Sequence, residues 1–276
     1  MDFSVRRIGE ENMHFFESEK QSSVQLVFLP GGLNPEIWRN QYRYFSREFR
    51  TVCFQPTESF RDYEGEKSAL KNVLDLERLD NIVIVSNLFG NSLALEFEDH
   101  ESVEALVMTS AFKGVDSLPP RLIYNQGWRT FTNHPKLLKK YFFSDNTDFK
   151  VVKEFAEILE KPEYLDAHSF VENYRFSRPV KKSLVVHSDE DRFSSIDFAR
   201  ELDRPNISRL SSAGGFPFFE KPEEYNKVLH DFLRSLRQDK KREELEKVKQ
   251  NNSSLTDFTR KKRKTRKMEK KVKKTV

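Results

Sequence analysis

One cysteine, Cys53, stands in the 276-residue chain, which excludes an intrachain disulfide and a cysteine-ligated metal cluster. It lies in the apolar run Thr51-Val52-Cys53-Phe54 and is expected to act as a small buried hydrophobe. Nowhere do eighteen apolar residues follow one another, so no transmembrane segment is expected. The opening Met1-Asp2-Phe3-Ser4-Val5-Arg6-Arg7 lacks the apolar stretch of a secretory signal, so a soluble, intracellular, cytoplasmic protein is expected. His14, His100, His134, His168, His187 and His230 fall at no metal-ligand spacing, and neither a metal nor a cofactor is expected. Internal repeats are absent. With 37% hydrophobic residues and 25 phenylalanines, the body has the material for a sizeable core.

Charge is unevenly placed. The formal net charge is +4, yet residues 237–276 alone carry +11, leaving −7 on residues 1–236. The basic excess concentrates in a fifteen-residue block: Arg260, Lys261, Lys262, Arg263, Lys264, Arg266, Lys267, Lys270, Lys271, Lys273 and Lys274, with Glu269 the one acid. Such a block attracts polyanions, nucleic acid among them, with little sequence preference. No aromatic residue interleaves it, so base stacking is not indicated. Its alternatives are a solubilising tail, an arm folded back on the acidic body, an anionic membrane surface, or a targeting signal at Lys261–Lys264.

Short apolar or alternating runs at 3–8, 13–18, 24–29, 51–55, 82–86, 104–109, 183–187 and 206–211 read as strands. Helical stripes lie between the later ones: Trp38, Tyr42, Phe45 and Phe49; Leu70, Val73 and Leu74; and Tyr225, Val228, Leu229, Phe232, Leu233 and Leu236. Two antiparallel strands followed by strand–helix alternation predict an α/β fold, a mostly parallel sheet with helices on both faces. Residues 113–182 break the alternation with Pro119-Pro120, Pro135 and Pro162 and with helical runs at 136–143 and 148–160, and are expected to form a helical cap. The expected boundaries are a domain over 1–236 and a charged, basic C-terminal tail over 237–276, within which the polar linker Asn251–Ser254 separates the charged run Arg237–Gln250 from the basic block.

The stretch Ile82-Val83-Ile84-Val85-Ser86-Asn87-Leu88-Phe89-Gly90-Asn91-Ser92 has the form of a buried strand turning sharply into a helix. In G-x-S-x-G the same corner presents a serine nucleophile, with the next backbone N–H facing the oxyanion; here the serine position is Leu88. Three further stretches accompany it: Pro30-Gly31-Gly32-Leu33, ahead of Trp38-Arg39-Asn40-Gln41; Ser183–Asp191; and Ala213-Gly214-Gly215-Phe216-Pro217-Phe218-Phe219-Glu220-Lys221-Pro222-Glu223. Together they resemble the α/β-hydrolase superfamily over about residues 13–236, with the order nucleophile, acid, base along the chain. The resemblance implies an oxyanion loop at 30–33, an acid position at Asp191 and a base position at Gly215, where the family carries a histidine.

Leucine and glycine can neither attack a carbonyl nor take a proton. The resemblance thus implies a vestigial triad of Leu88, Asp191 and Gly215, beside oxyanion-like N–H groups at Leu33 and Phe89, which alone supply no nucleophile. Ser86 ends the strand and Ser92 lies a helical turn beyond Leu88, so neither is expected to point where Leu88 does. Asp191 is expected to cap backbone N–H groups or face water, and His187 and His100 to be structural. Phe216, Phe218 and Phe219 are expected to fill the space beside the missing histidine. The expected function is a binding or scaffold protein with a protein or small-molecule partner and a polyanion-binding tail; the alternative is a hydrolase of esters or related acyl compounds with an unorthodox nucleophile.

Overall fold

Eight strands form one sheet, and each coincides within about two residues with a run the sequence predicts. They are β1 (Ser4–Ile8), β2 (Glu11–Glu17), β3 (Gln25–Phe28), β4 (Arg50–Pro56), β5 (Ile82–Asn87), β6 (Val103–Thr109), β7 (Lys182–Ser188) and β8 (Asn206–Leu210). The spatial order is β1-β2-β4-β3-β5-β6-β7-β8. β1 and β2 pair antiparallel, as do β2 and β4, and the six strands from β4 to β8 in that order run parallel. The computed structural model describes residues 4–8, 11–18, 20, 22–56, 62–76, 79–112, 131, 133–159, 172–177, 179, 181–192, 194, 197, 200, 206–242, 245 and 246. Pro119-Pro120, Pro162, the linker Asn251–Ser254 and the basic block 260–274 lie outside them.

Parallel strands are covered on both faces and read as continuous apolar runs, and β5 is buried at every position. A 3-10 turn over Pro35–Trp38 leads into α1 (Arg39–Phe45); α1 and α2 (Tyr63–Leu76) each pack against β4, while α3 (Gly90–Glu96) packs on β5 and β6. Asn34 starts the 3-10 turn: its Oδ1 accepts the Glu36 N–H at 2.8 Å, and Pro35 follows where its missing N–H costs nothing. Cys53 is buried, as expected of it.

Between β6 and β7 the described residues carry α4 (Pro135–Phe142) and α5 (Phe149–Leu159), the helices expected of a cap. After β8 comes the one-turn α6 (Pro217–Glu220), then helix from 222 onward. The chain divides after Leu229 into two units, Met1–Leu229 and His230–Val276; in the second, residues 230–242 are helical. Among the described residues no helix is long and apolar enough to cross a membrane.

Winding reverses between β3 and β5, since β3 leads outward to β4 and β4 returns to β5. In open α/β sheets ligands bind beyond the carboxyl ends of the strands at such a point. β3 ends into the loop 29–34 and β5 into the turn 87–90, so the fold puts those two stretches side by side.

Candidate functional site

Leu88 has φ +45°, a left-handed conformation costly for a bulky side chain, on the order of 1–3 kcal/mol. Its N–H donates to the Thr109 carbonyl at 3.1 Å, and Asn91 donates back to the Leu88 carbonyl at 3.2 Å, so the turn is pinned on both sides. The side chain is only 3% exposed. Burying a leucine is worth roughly 1.5–3 kcal/mol, an amount that offsets the backbone strain. The corner therefore holds a sealed apolar group where a nucleophile elbow exposes a polar one.

Two glycines let the neighbouring loop approach. Gly31 has φ +60° and Gly32 φ +83°. A Cβ on Gly31 would lie 2.5 Å from the Gly90 nitrogen, 2.8 Å from its Cα and 2.9 Å from the Asn87 carbonyl oxygen. Successive glycines of this kind turn adjacent N–H groups into one concavity suited to an anion. The chain fills that concavity itself: Gly31 N–H donates to Glu66 Oε1 at 3.1 Å and Gly32 N–H to Oε2 at 3.0 Å. Leu33, read from the sequence as an oxyanion donor, closes a turn with its N–H on the Pro30 carbonyl at 3.3 Å. The Phe89 ring is buried against Phe112 and Tyr174, whose rings stack 4.1 Å apart.

Glu66 is fully buried, and loss of solvent pushes its carboxyl up from 4.5 to about 7 against the opposing pull of the Gly32 and Gly31 N–H groups. The folded state thus holds this proton more tightly than the unfolded chain does. Stability falls as pH rises from about 4.5 and the loss is complete above about 7, a span worth at most roughly 3 kcal/mol. Glu66→Gln is expected to lower the melting temperature at pH 5, because its amide sets N–H against N–H, and to flatten the decline between pH 5 and 8. Parallel melting curves for variant and wild type across that range would contradict the assignment.

The acid and base positions are adjacent, since Glu190 N–H donates to the Ala213 carbonyl at 3.0 Å. Asp191 acts as a cap, its Oδ1 accepting the Ser194 N–H at 3.2 Å. At the base position, Gly215 N–H donates to the Phe142 carbonyl at 2.8 Å, and its own carbonyl accepts the Ser110 hydroxyl at 2.9 Å. A Cβ on Gly214 would fall 2.6 Å from that Phe142 oxygen, so cap backbone lies directly on this loop. Phe216 is fully buried, 4.4 Å from Phe155, 5.5 Å from Phe142 and 5.7 Å from Phe143 between ring centroids. Phe219 adds an edge contact to Phe155, and Phe218 stacks on Trp38 at 4.1 Å. Glu220 ties the same junction, accepting the Gly214 N–H at 2.8 Å and the Ser144 N–H at 2.9 Å; burial raises its carboxyl above the ordinary range.

The remaining candidate groups are engaged in structure. Ser86 donates to Asn91 Oδ1 at 2.8 Å, and Asn91 Nδ2 donates to the Thr109 carbonyl at 2.9 Å. Ser92 Oγ lies 3.3 Å from both the Phe89 carbonyl and the Tyr63 hydroxyl. Ser194 donates to the Ala111 carbonyl at 2.6 Å, which commits its one proton, so His187 Nδ1, 3.4 Å from that oxygen, faces a lone pair and is the donor. Burial, and next the charge of Arg209, hold His187 below its ordinary range and hence neutral. His100 contacts Asp75 at 3.1 Å through Nε2 and accepts the Ser102 N–H at Nδ1. Among the described residues no His, Cys, Asp and Glu cluster suits a metal ion.

The overall fold of this chain is shared with known proteins. The chain matches no protein-family model. It is 23% identical over 262 residues to the AB hydrolase superfamily protein YisY of Bacillus subtilis (strain 168), covering 82% of this chain and 97% of YisY. A thermophilic esterase from Thermogutta terrifontis superimposes with a TM-score of 0.67 at 16% identity, over 85% of this chain and 97% of the esterase. Est816, described as an N-acyl homoserine lactone degrading enzyme, gives 0.68 at 19% identity, over 83% and 99%. The chain has the α/β-hydrolase fold.

Proposed function

We propose that this α/β-hydrolase-fold protein has lost serine-hydrolase chemistry and serves as a binding or scaffold protein. The observation that carries the reading is Leu88, buried at φ +45° in the turn after β5, where the chemistry needs a hydroxyl within reach of a base. Three further features support it: Gly215 at the base position, the Phe216 cluster beside it, and the Glu66 carboxylate on the glycine-loop N–H groups. The serines that flank the corner are no replacement nucleophiles, since Ser86 and Ser92 are buried and hydrogen-bonded.

Restoring the missing side chains tests the reading. Leu88→Ser is expected to destabilise the domain by about 2–3 kcal/mol, through lost apolar burial and a hydroxyl placed among apolar groups. Leu88→Ser with Gly215→His is expected to hydrolyse p-nitrophenyl acetate and butyrate no faster than a buffer blank. Turnover well above the blank in that double variant would show that the pocket is still open and overturn the reading that the Phe216 cluster fills it, whereas fluorophosphonate labelling of the wild-type protein would overturn the loss of chemistry itself.

The basic block Arg260–Lys274 belongs to the same proposal as a polyanion-binding arm, supported by eleven positive charges in fifteen residues. Its affinity for duplex DNA or RNA is expected to fall log-linearly with salt and to vanish on deletion of residues 251–276, with the melting temperature unchanged. Failure of the full chain to bind at low salt would refute this part. A salt-sensitive loss of stability on deletion would place the arm on the acidic body instead.

A further inference from the structure

The cap carries a solvent-open groove of about 420 Å³ between the first turn of α4 and the first two turns of α5, at the lower end of the range for small-molecule sites. Its apolar surface comes from Pro135, Leu137 and Phe149, and its rim from Asn133, His134, Lys136 and Lys153. Leu137 is 37% exposed, an apolar side chain presented to water at the lip. Phe149 and Lys153 are one helical turn apart, and the Lys153 ammonium lies over the Phe149 ring, 5.3 Å from its centroid. The Phe155 face of the same helix is a different one, turned to Phe216 and Phe219, so the groove does not belong to the filled site beside Gly215.

The charge is one-sided. Two lysines line the groove and no carboxylate does, and neither lysine takes part in an ion pair among the described residues. The helix α4 opens into it at His134 and Pro135, with no side-chain hydrogen bond on its cap, so the positive end of the helix dipole adds to the lysines. An apolar floor under a cationic rim complements a ligand with the opposite pairing: an anionic head joined to an aliphatic chain. The ammonium over Phe149 is only weakly held there, as cation–π contacts at exposed sites are, and can move onto an incoming carboxylate.

We infer that this groove binds a free, single-chain aliphatic carboxylate, with the chain along Leu137, Pro135 and Phe149 and the carboxylate between Lys136 and Lys153. The inference stands whether or not the turn at Leu88 is catalytic.

Decanoate below its micellar concentration is the probe, added to the full-length protein at physiological salt. The readout is the rate at which an amine-reactive ester modifies each lysine, followed by peptide mass spectrometry, so that the basic tail is resolved from the groove. Decanoate is expected to slow modification of Lys136 and Lys153 at least threefold, while acetate and decanol at the same concentration leave both rates unchanged. In Leu137→Asp, a surface substitution, the apparent affinity for decanoate is expected to fall at least tenfold with an unchanged melting temperature. Equal protection by acetate would reduce the effect to charge alone and overturn the inference, as would unchanged affinity in Leu137→Asp. Protection by phosphatidylglycerol vesicles without protection by decanoate would also overturn it, in favour of a membrane surface.

Discussion

Gly31→Ala is expected to destabilise the domain by at least about 3 kcal/mol, enough to leave a marginally stable chain partly unfolded at 37 °C. Two costs add. At φ +60° an alanine pays for a left-handed backbone that glycine adopts freely. Its methyl carbon would also lie 2.5–2.9 Å from the backbone of Gly90 and Asn87, and backbone of the central strand and its turn cannot swing aside as a flexible side chain can. Relief requires the loop 30–33 to lift off the turn, which pulls the Gly31 and Gly32 N–H groups from Glu66 and leaves a buried carboxyl short of donors. Gly90→Ala is a control of graded severity, since its Cβ meets Gly31 at 3.1–3.4 Å from a helical backbone, and it is expected to cost clearly less. Chemical denaturation of both variants gives the comparison; a Gly31→Ala protein as stable as wild type would mean that the loop and the turn are not in contact.

Phe216→Ala is expected to cost about 3–5 kcal/mol, the range for removing a fully buried phenylalanine. The effect should be local before it is global. Phe216 touches Phe142 and Phe143 around the end of α4 and Phe155 on α5, so its ring joins the cap helices to the loop after β8. Once it is gone, the cap retains the Glu220 bond to Ser144, the Gly215 bond to Phe142, the edge contact of Phe219 with Phe155 and the ion pair of Arg39 with Glu154, the last worth little because it is exposed. Amide exchange over residues 135–159 should therefore accelerate in Phe216→Ala by more than exchange in β5 and β6, where it should track global unfolding. Equal acceleration in both regions would show that the cap and the sheet open as one unit.

The fold was legible because its strands are nearly continuous apolar runs. Ile82–Val85, Ala105–Thr109 and Ser183–Val186 are buried on both faces, and such runs mark strands wherever they fall between helical stripes. The corner at Leu88 was legible as a corner through the pattern strand, turn, glycine, helix. Its left-handed φ is set by tertiary pairing, by Thr109 on one side and the Gly31 approach on the other, which no local pattern reports.

Glu66 leaves only an indirect trace in the sequence. It shares the helical stripe of Tyr63, Leu70 and Val73, and a carboxylate on a core-facing stripe implies buried donors. Those donors are two backbone N–H groups more than thirty residues away, a pairing only the fold supplies. By its place in the sequence Leu33 resembles an oxyanion donor, whereas in the structure its N–H closes a turn on Pro30. Phe216, Phe218 and Phe219 are buried, as the sequence leads one to expect; that Phe216 and Phe219 meet Phe142, Phe143 and Phe155, while Phe218 stacks on Trp38, depends on how distant segments pack.

The central claim is that no nucleophile operates in the turn after β5, and covalent labelling tests it most directly. The wild-type protein is incubated with a fluorophosphonate, which captures activated serines, and its intact mass is measured with a serine hydrolase as a parallel standard. The mass is expected to remain that of the unmodified chain while the standard gains one adduct. A stoichiometric adduct on the wild-type protein, mapped to Ser86 or Ser92 and abolished by substituting that residue, would contradict the account.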